Sequence, residues 1–214
     1  MSQPTIQTAP CPGCGKEMEF KLWQTINTDV ENAREDIISG ALFDFTCPEC
    51  GHKARIQYPI LFNDLENNVW IWCYPEDAVE ETMPIIEKAK AQGVTCRLVH
   101  SQEALSEKAA MFKLGMDDRI VEIMKLAAAV QVTEALPGCE IGPIIFALNK
   151  EQQPCFLFKV DGQTNFMDMY MDEYNEFKTI FSALLDADDS SLVIDSRWAI
   201  NFMGGGMPAA EAEL

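Results

Sequence analysis

From Glu17 to Trp23 apolar and polar residues alternate, Met18, Phe20 and Leu22 against Glu17, Glu19 and Lys21, which is the period of a strand buried on one face. The period then lengthens. Thr28-Asp-Val-Glu31 has the form of a capping box, and Val30, Ala33, Ile37 and Ile38 follow at helical spacing up to Gly40, a residue suited to ending a helix. Leu42 to Thr46 and Lys53 to Tyr58 read as strands, the second stopped by Pro59, and Val69-Trp-Ile-Trp-Cys73 as another. Pro75 to Gln92 carries a helical stripe of Val79, Met83, Ile86 and Lys90 that Pro84 interrupts, so the helix there is short or begins near the proline. A strand at Thr95 to Val99 precedes two helices. Ser101 caps the first, which Gly115 ends; Asp117 caps the second, which holds Ile120, Val121, Met124, Ala127 and Ala128.

After Leu136-Pro137-Gly138 the pattern turns to β. Pro143 to Leu148 and Cys155 to Val160 are apolar runs, Asp161-Gly162 is a hairpin turn signal, and Thr164 to Met169 continues an antiparallel meander. Tyr170, Tyr174, Phe177, Phe181 and Leu184 share one helical stripe suited to packing on those strands. An acidic loop, Asp186 to Ser191, precedes a last expected strand, Leu192 to Phe202, and Gly204-Gly-Gly206 opens a tail that reads as disordered. The expected organisation is a domain over 1–135, a C-terminal α+β domain over 136–203 and a tail over 204–214.

Four of the eight cysteines repeat one pattern, Cys11-Pro12-Gly13-Cys14-Gly15 and Cys47-Pro48-Glu49-Cys50-Gly51, 36 residues apart. A two-residue gap lets both sulfurs of a turn face one centre, and the glycine after each pair can take a positive φ. Two such turns supply the four thiolates of tetrahedral Zn²⁺, and with every ligand position filled the site is structural. A redox-active pair is disfavoured, because glycine and strand-like sequence follow each pair where a helix would be expected. Iron held by four thiolates has the same ligand set and stays open. His52, next to the second pair, reads as an exposed residue on the outgoing strand, since four cysteines complete the shell. The 32 residues between Cys14 and Cys47 hold the predicted short helix, so the expectation is a zinc ribbon carrying an inserted helix.

Residues 11 to about 74 resemble the CPXC-domain family, named for paired Cys-Pro-x-Cys motifs. Matching features are Trp23-Gln-Thr-Ile-Asn27, Leu42-Phe43, Tyr58-Pro59 and Asp64. Cys96-Arg-Leu-Val-His-Ser101, Glu103-Ala-Leu105, Glu107-Lys108 and Asp117-Asp-Arg119 carry the likeness on to about residue 130. The resemblance implies zinc on Cys11, Cys14, Cys47 and Cys50 and adds no activity. The expected fold class is α+β: an N-terminal zinc ribbon with its helix, further helices, and a C-terminal antiparallel meander with a packed helix.

Charge narrows the function. Lys and Arg number 16 against 34 Asp and Glu, net −18 over 214 residues, with −7 in residues 1–100 and −11 in residues 101–214. An electrostatic grip on nucleic acid or anionic lipid needs a local excess of cations, and even residues 11–60 hold 5 basic against 8 acidic side chains. The start lacks a basic n-region and an apolar h-region and no long apolar run occurs, which reads as a cytoplasmic protein with reduced thiols.

Phosphate-loop, dinucleotide, nucleophile-elbow and zincin motifs are all missing from the sequence. Cys96 and His100, four apart on a strand, would sit about 13 Å from each other. Both read as packing residues, as do Cys73, Cys139 and Cys155 in apolar strands, and the eleven methionines read as core filling. Arg119, next to two aspartates at a helix start, reads as solvated while the aspartates complement the helix dipole, and the acidic loop lacks the glycine and closing glutamate of an EF-hand. The leading expectation is a non-catalytic zinc protein that binds a protein partner, a basic one by its charge. The alternative is an enzyme or ligand-binding protein with its site in the C-terminal α+β part and the ribbon as anchor; Asp168, Asp172 and Glu173 there are candidates for Mg²⁺, although a dipole-favoured helix start explains them more simply.

Overall fold

The structure is a computed structural model that describes residues 2–185 and 191–204. The acidic loop at residues 186–190 and the tail from residue 205 lie outside the described residues, with the expectations attached to them. Among the described residues, six α-helices and ten strands in three sheets make a mixed α+β fold. Backbone packing separates it into two units, Met1–Ala109 and Ala110–Leu214.

In the first unit β1 (Gln3–Pro10) and β2 (Glu17–Asn27) form an antiparallel hairpin, followed by α1 (Ala33–Ser39). β3 (Asp44–Thr46) and β4 (Lys53–Arg55) form a second, three-residue hairpin. Next come a hairpin of β5 (Ile60–Asp64) and β6 (Val69–Cys73), then α2 (Met83–Ala91), β7 (Thr95–Val99) and α3 (Gln102–Lys113), which runs across the division. The main sheet has the order β1-β2-β5-β6-β7. Its β2/β5 and β6/β7 steps are parallel, and each needs a crossover, supplied by the α1 segment with the second hairpin and by α2. Strands β5 to β7 carry the core, with Ile60, Phe62, Ile71 and Trp72 buried, which is why they read as apolar runs.

Several expectations change here. The capping box does not form: α1 begins four residues later, behind Asn32 at φ 60°, because the Thr28 hydroxyl accepts the Leu65 N–H instead. Leu42 lies in a 3₁₀ turn, Ala41–Phe43, and only Asp44–Thr46 is strand. The strand expected over Lys53 to Tyr58 ends at Arg55, because its partner is three residues long. Pro59 does not close a strand but precedes one, β5, a position where a missing N–H is tolerated. The short helix beginning near Pro84 and the strand at Thr95–Val99 are as expected.

The second unit contains α4 (Asp118–Ala135), the antiparallel meander of β8 (Ile145–Leu148), β9 (Pro154–Val160) and β10 (Gln163–Asp168), then α5 (Met171–Leu185) and α6 (Ser196–Gly204). Asp117 caps α4 by accepting the Arg119 N–H. Asp161 and Gly162 both have positive φ, as a tight two-residue hairpin requires. The strand expected over Leu192 to Phe202 is instead an approach segment and a helix. Asp195 accepts the Trp198 N–H at 2.8 Å, and Trp198 and Phe202 stack one turn apart at 5.1 Å. The β-branched residues before Asp195 masked that start. Cys139 also departs from expectation, lying half-buried in the turn after α4 and outside any strand.

Candidate metal centre

Each Cys-x-x-Cys turn occupies the tip of a hairpin, β1–β2 or β3–β4, and the two turns share one backbone design. The N–H of Cys11 donates to the carbonyl of Lys16 and that of Gly15 to the carbonyl of Cys11, both at 2.8 Å. Shifted by 36 residues, the N–H of Cys47 donates to His52 at 2.8 Å and that of Gly51 to Cys47 at 2.9 Å. Gly15 and Gly51 sit at φ 73° and 72°, the left-handed region in which a side chain would strain the turn. The repeated glycine is thus required twice for one reason.

The turns face each other. Cys11 Sγ lies 3.8 Å from Cys50 Sγ and Cys14 Sγ 3.9 Å from Cys47 Sγ, and all four sulfurs lie within 4.8 Å of one another. A tetrahedron of thiolates at about 2.3 Å from its centre has edges of about 3.8 Å. The separations match that edge, and all eight cysteines of the chain are free of disulfides. The four cysteines lie close enough to bind a metal ion, and among the described residues they are the sole group of three or more such ligands.

Cys11 pairs with Cys50 as Cys47 pairs with Cys14, so the 36-residue repeat acts as a local pseudo-twofold axis. The same relation links contacts that reading each turn alone could not reveal. Lys16 of the first turn forms an ion pair with Glu49 of the second. At the equivalent place His52 covers Gly13 so closely that a Cβ there would stand 2.8 Å from His52 Cβ. His52 is exposed and outside the sulfur cluster, a cover rather than a ligand. The inner side is sealed by Met18, Phe20 and Phe45, with the two rings 4.6 Å apart, so Cys11 and Cys47 are buried while Cys14 and Cys50 face solvent.

The environment splits the second pair. Burial disfavours ionising Cys47, but hydrogen bonds from the Cys50 and Glu49 backbone and from neighbouring thiols outweigh it and bring that thiol down to about 7. At Cys50 the His52 N–H favours the thiolate, yet Cys47, burial, Cys14 and Cys11 together push it up to about 12. The surroundings thus favour the thiolate at Cys47 and the thiol at Cys50.

The other residues singled out in the sequence do not converge. Buried Cys96 contacts backbone carbonyls, while His100 Nδ1 lies 2.9 Å from the carbonyl of Tyr74. Burial raises the thiols of Cys96 and Cys155, and burial together with Glu103 pushes Cys73 up to about 11. Asp168, Asp172 and Glu173 are exposed. Arg119 is held rather than solvated: it grips Asp117 with two nitrogens at 3.0 and 2.8 Å and donates to the Leu185 carbonyl at 2.9 Å.

Fold and site define a mixed α+β protein with a paired-turn, four-cysteine centre able to hold a metal. The chain belongs to the CpXC protein family, whose model matches residues 9–125, more than half its length. That span covers both turns and runs into α4. Searches of curated proteins and of solved structures return no match.

Proposed function

We propose that the four-cysteine centre binds one structural Zn²⁺, that the two hairpins around it form a zinc ribbon with α1 inserted, and that the protein is a non-catalytic interaction module of the cytoplasm presenting an acidic surface to a basic protein partner. The observation that carries the metal reading is the pair of cross-turn sulfur separations, 3.8 and 3.9 Å, at the edge length of a zinc–thiolate tetrahedron. Four thiolates leave no coordination position for a substrate or an activated water, which supports a structural role. Net charge supports the partner: the −18 of the chain falls to about −20 when four thiolates and one Zn²⁺ are counted, a field that steers cations and repels nucleic acid.

Elemental analysis of protein purified without added metal tests the first part, with about one zinc per chain expected. Stoichiometric iron would replace zinc, and neither metal would sink the centre. Cys14→Ser removes one ligand, and because metal binding here is folding free energy the variant should lose its zinc and about 4 kcal/mol of stability. A melting profile equal to wild type contradicts that. Capture of partners by wild type and by a charge-reversed variant tests the second part; identical partners would remove the electrostatic reading.

A further inference from the structure

We infer that a cleft at the Tyr58-Pro59 and Tyr74-Pro75 corners of the first unit is a groove for an extended, proline-bearing peptide segment flanked by basic residues. This deepens the interaction reading above and rests on it, naming the surface and the class of partner.

The cleft follows from strand register. β2 and β5 pair over only three residues, Thr25–Asn27 against Leu61–Asn63, so before Thr25 the edge of β2 opposite β1 has no strand partner among the described residues. Where they part lies a cavity of about 420 Å³ lined by Thr5, Trp23, Thr25, Tyr58, Pro59 and Tyr74. A second cavity of about 310 Å³ shares Tyr58, Pro59 and Tyr74 and adds Pro75, His100 and Gln102. The result is two adjoining depressions around common tyrosines, with a tryptophan in one. Flat rings and prolines of this kind accept pyrrolidine rings, and a polyproline-type segment arrives already ordered, so it loses little entropy on docking. The corner is held in place: the Tyr74 N–H donates to Val99 at 3.0 Å, and the His100 imidazole is anchored on the Tyr74 carbonyl.

One buried polar atom points to a ligand. Gln102 is 4% exposed, and its Nε2 donates to the Ile56 carbonyl at 2.9 Å, which fixes the amide orientation. Its Oε1 is buried without a hydrogen bond. A buried acceptor left unpaired is costly, and an N–H from a non-proline residue of the bound segment would satisfy it. The cavity also lies at the N-terminal end of the twelve-residue α3, whose dipole favours a carbonyl oxygen. A donor and an acceptor in one neutral ligand describe a peptide group. Among the described residues no lysine or arginine lines either cavity, and exposed Glu76, Glu80, Glu81 and Glu103 follow Pro75 or lie in the first turn of α3. That distribution selects basic flanks and disfavours an anion.

The test titrates metal-loaded, full-length, ¹⁵N-labelled protein with the capped peptide Arg-Pro-Pro-Ala-Pro-Pro-Ala-Arg. Two control peptides carry Gly and Ser for every proline, or N-methylalanine for each alanine. Saturable shifts confined to Trp23, Tyr58, Tyr74 and the Gln102 side-chain amide are expected, with affinity about tenfold weaker for the N-methyl peptide, for Tyr74→Ala and for Gln102→Met. The N-methyl peptide alters only the ligand, so the result stands even if a variant folds poorly. No saturation at about 1 mM, equal binding of the Gly/Ser control, unchanged binding of the N-methyl peptide, or shifts mapping elsewhere would each overturn the groove. Partners captured by wild type that are neither displaced by the peptide nor lost in Tyr74→Ala would overturn it too while leaving the broader interaction reading intact. Peptide binding at the groove with no captured partner would count against that broader reading alone.

Discussion

Cys47 and Cys50 stand three residues apart in one turn, yet their thiols are driven in opposite directions, to about 7 and about 12. A metal takes thiolates, so binding must expel the proton that Cys50 otherwise keeps throughout the neutral range. Cys47 adds a second proton only as pH falls through about 7. Each ligand thiol that binding deprotonates adds about tenfold per pH unit to the loss of apparent affinity on acidification, so Cys50 alone sets a minimum of about tenfold per unit and Cys47 steepens the slope further as pH falls through about 7. Competition with a chromophoric chelator between about pH 6 and about pH 8 measures this slope. A flat profile would mean that these thiols are not the ligands.

A second residue-scale dependence lies at Asp64, which is fully buried. Its carboxylate accepts from Arg34 at 2.7 Å, from the backbone of Glu66 and Asn67, and from the Asn67 side chain. One side chain thus ties α1 to the β5–β6 turn. Asp64→Ala leaves two turn N–H groups and the Asn67 amide without their acceptor and Arg34 with Glu66 alone, at 2.8 Å, and should cost about 3 kcal/mol in denaturant unfolding. A loss under about 1 kcal/mol would show the network to be dispensable.

Among the elements, those with a strong local period were legible: the β2 alternation, the apolar β6 and β7, and α4 behind its Asp117 cap. α6 was not, because Leu192-Val-Ile194 has the composition of a strand and the cap at Asp195 follows it directly. β5 is not legible because a proline after a strand-like run signals an end, whereas here Pro59 stands just before the strand. The four cysteines were legible because ligand spacing is local chemistry. The Lys16–Glu49 pair and the cover of His52 over Gly13 depend on how two turns 36 residues apart face each other, and the tyrosine cleft on corners brought together by strand register. No window of sequence displays either.

The element-scale consequence is testable at α6. Trp198 and Phe202 point toward the rest of their unit, with Phe202 6.3 Å from Phe181 of α5, while Ile200 is 57% exposed. Phe202→Ala should cost about 2 kcal/mol, less than a fully buried ring, and accelerate hydrogen exchange across Ser196–Gly204. Ile200→Ala should stay within about 0.5 kcal/mol. Equal effects would mean that the helix faces the other way.

At the scale of the whole molecule the dominant fact is charge, −18 spread over both parts of the chain. A field of that size acts on encounter more than on the lifetime of a complex, because long-range attraction accelerates approach whereas short-range contacts decide departure. For the arginine-flanked peptide the two contributions separate cleanly. Raising salt from about 0.05 M to about 0.5 M shortens the screening length several-fold and should slow association about tenfold, with dissociation almost unchanged. Dissociation is instead set by Trp23, Tyr58, Tyr74 and Gln102, so Tyr74→Ala should accelerate release at every salt concentration and leave the salt slope of association intact. Stopped-flow tryptophan fluorescence reads both rates. If salt changed dissociation as strongly as association, the arginines would be held in direct ion pairs within the cleft, and the neutral lining would not be what selects the ligand.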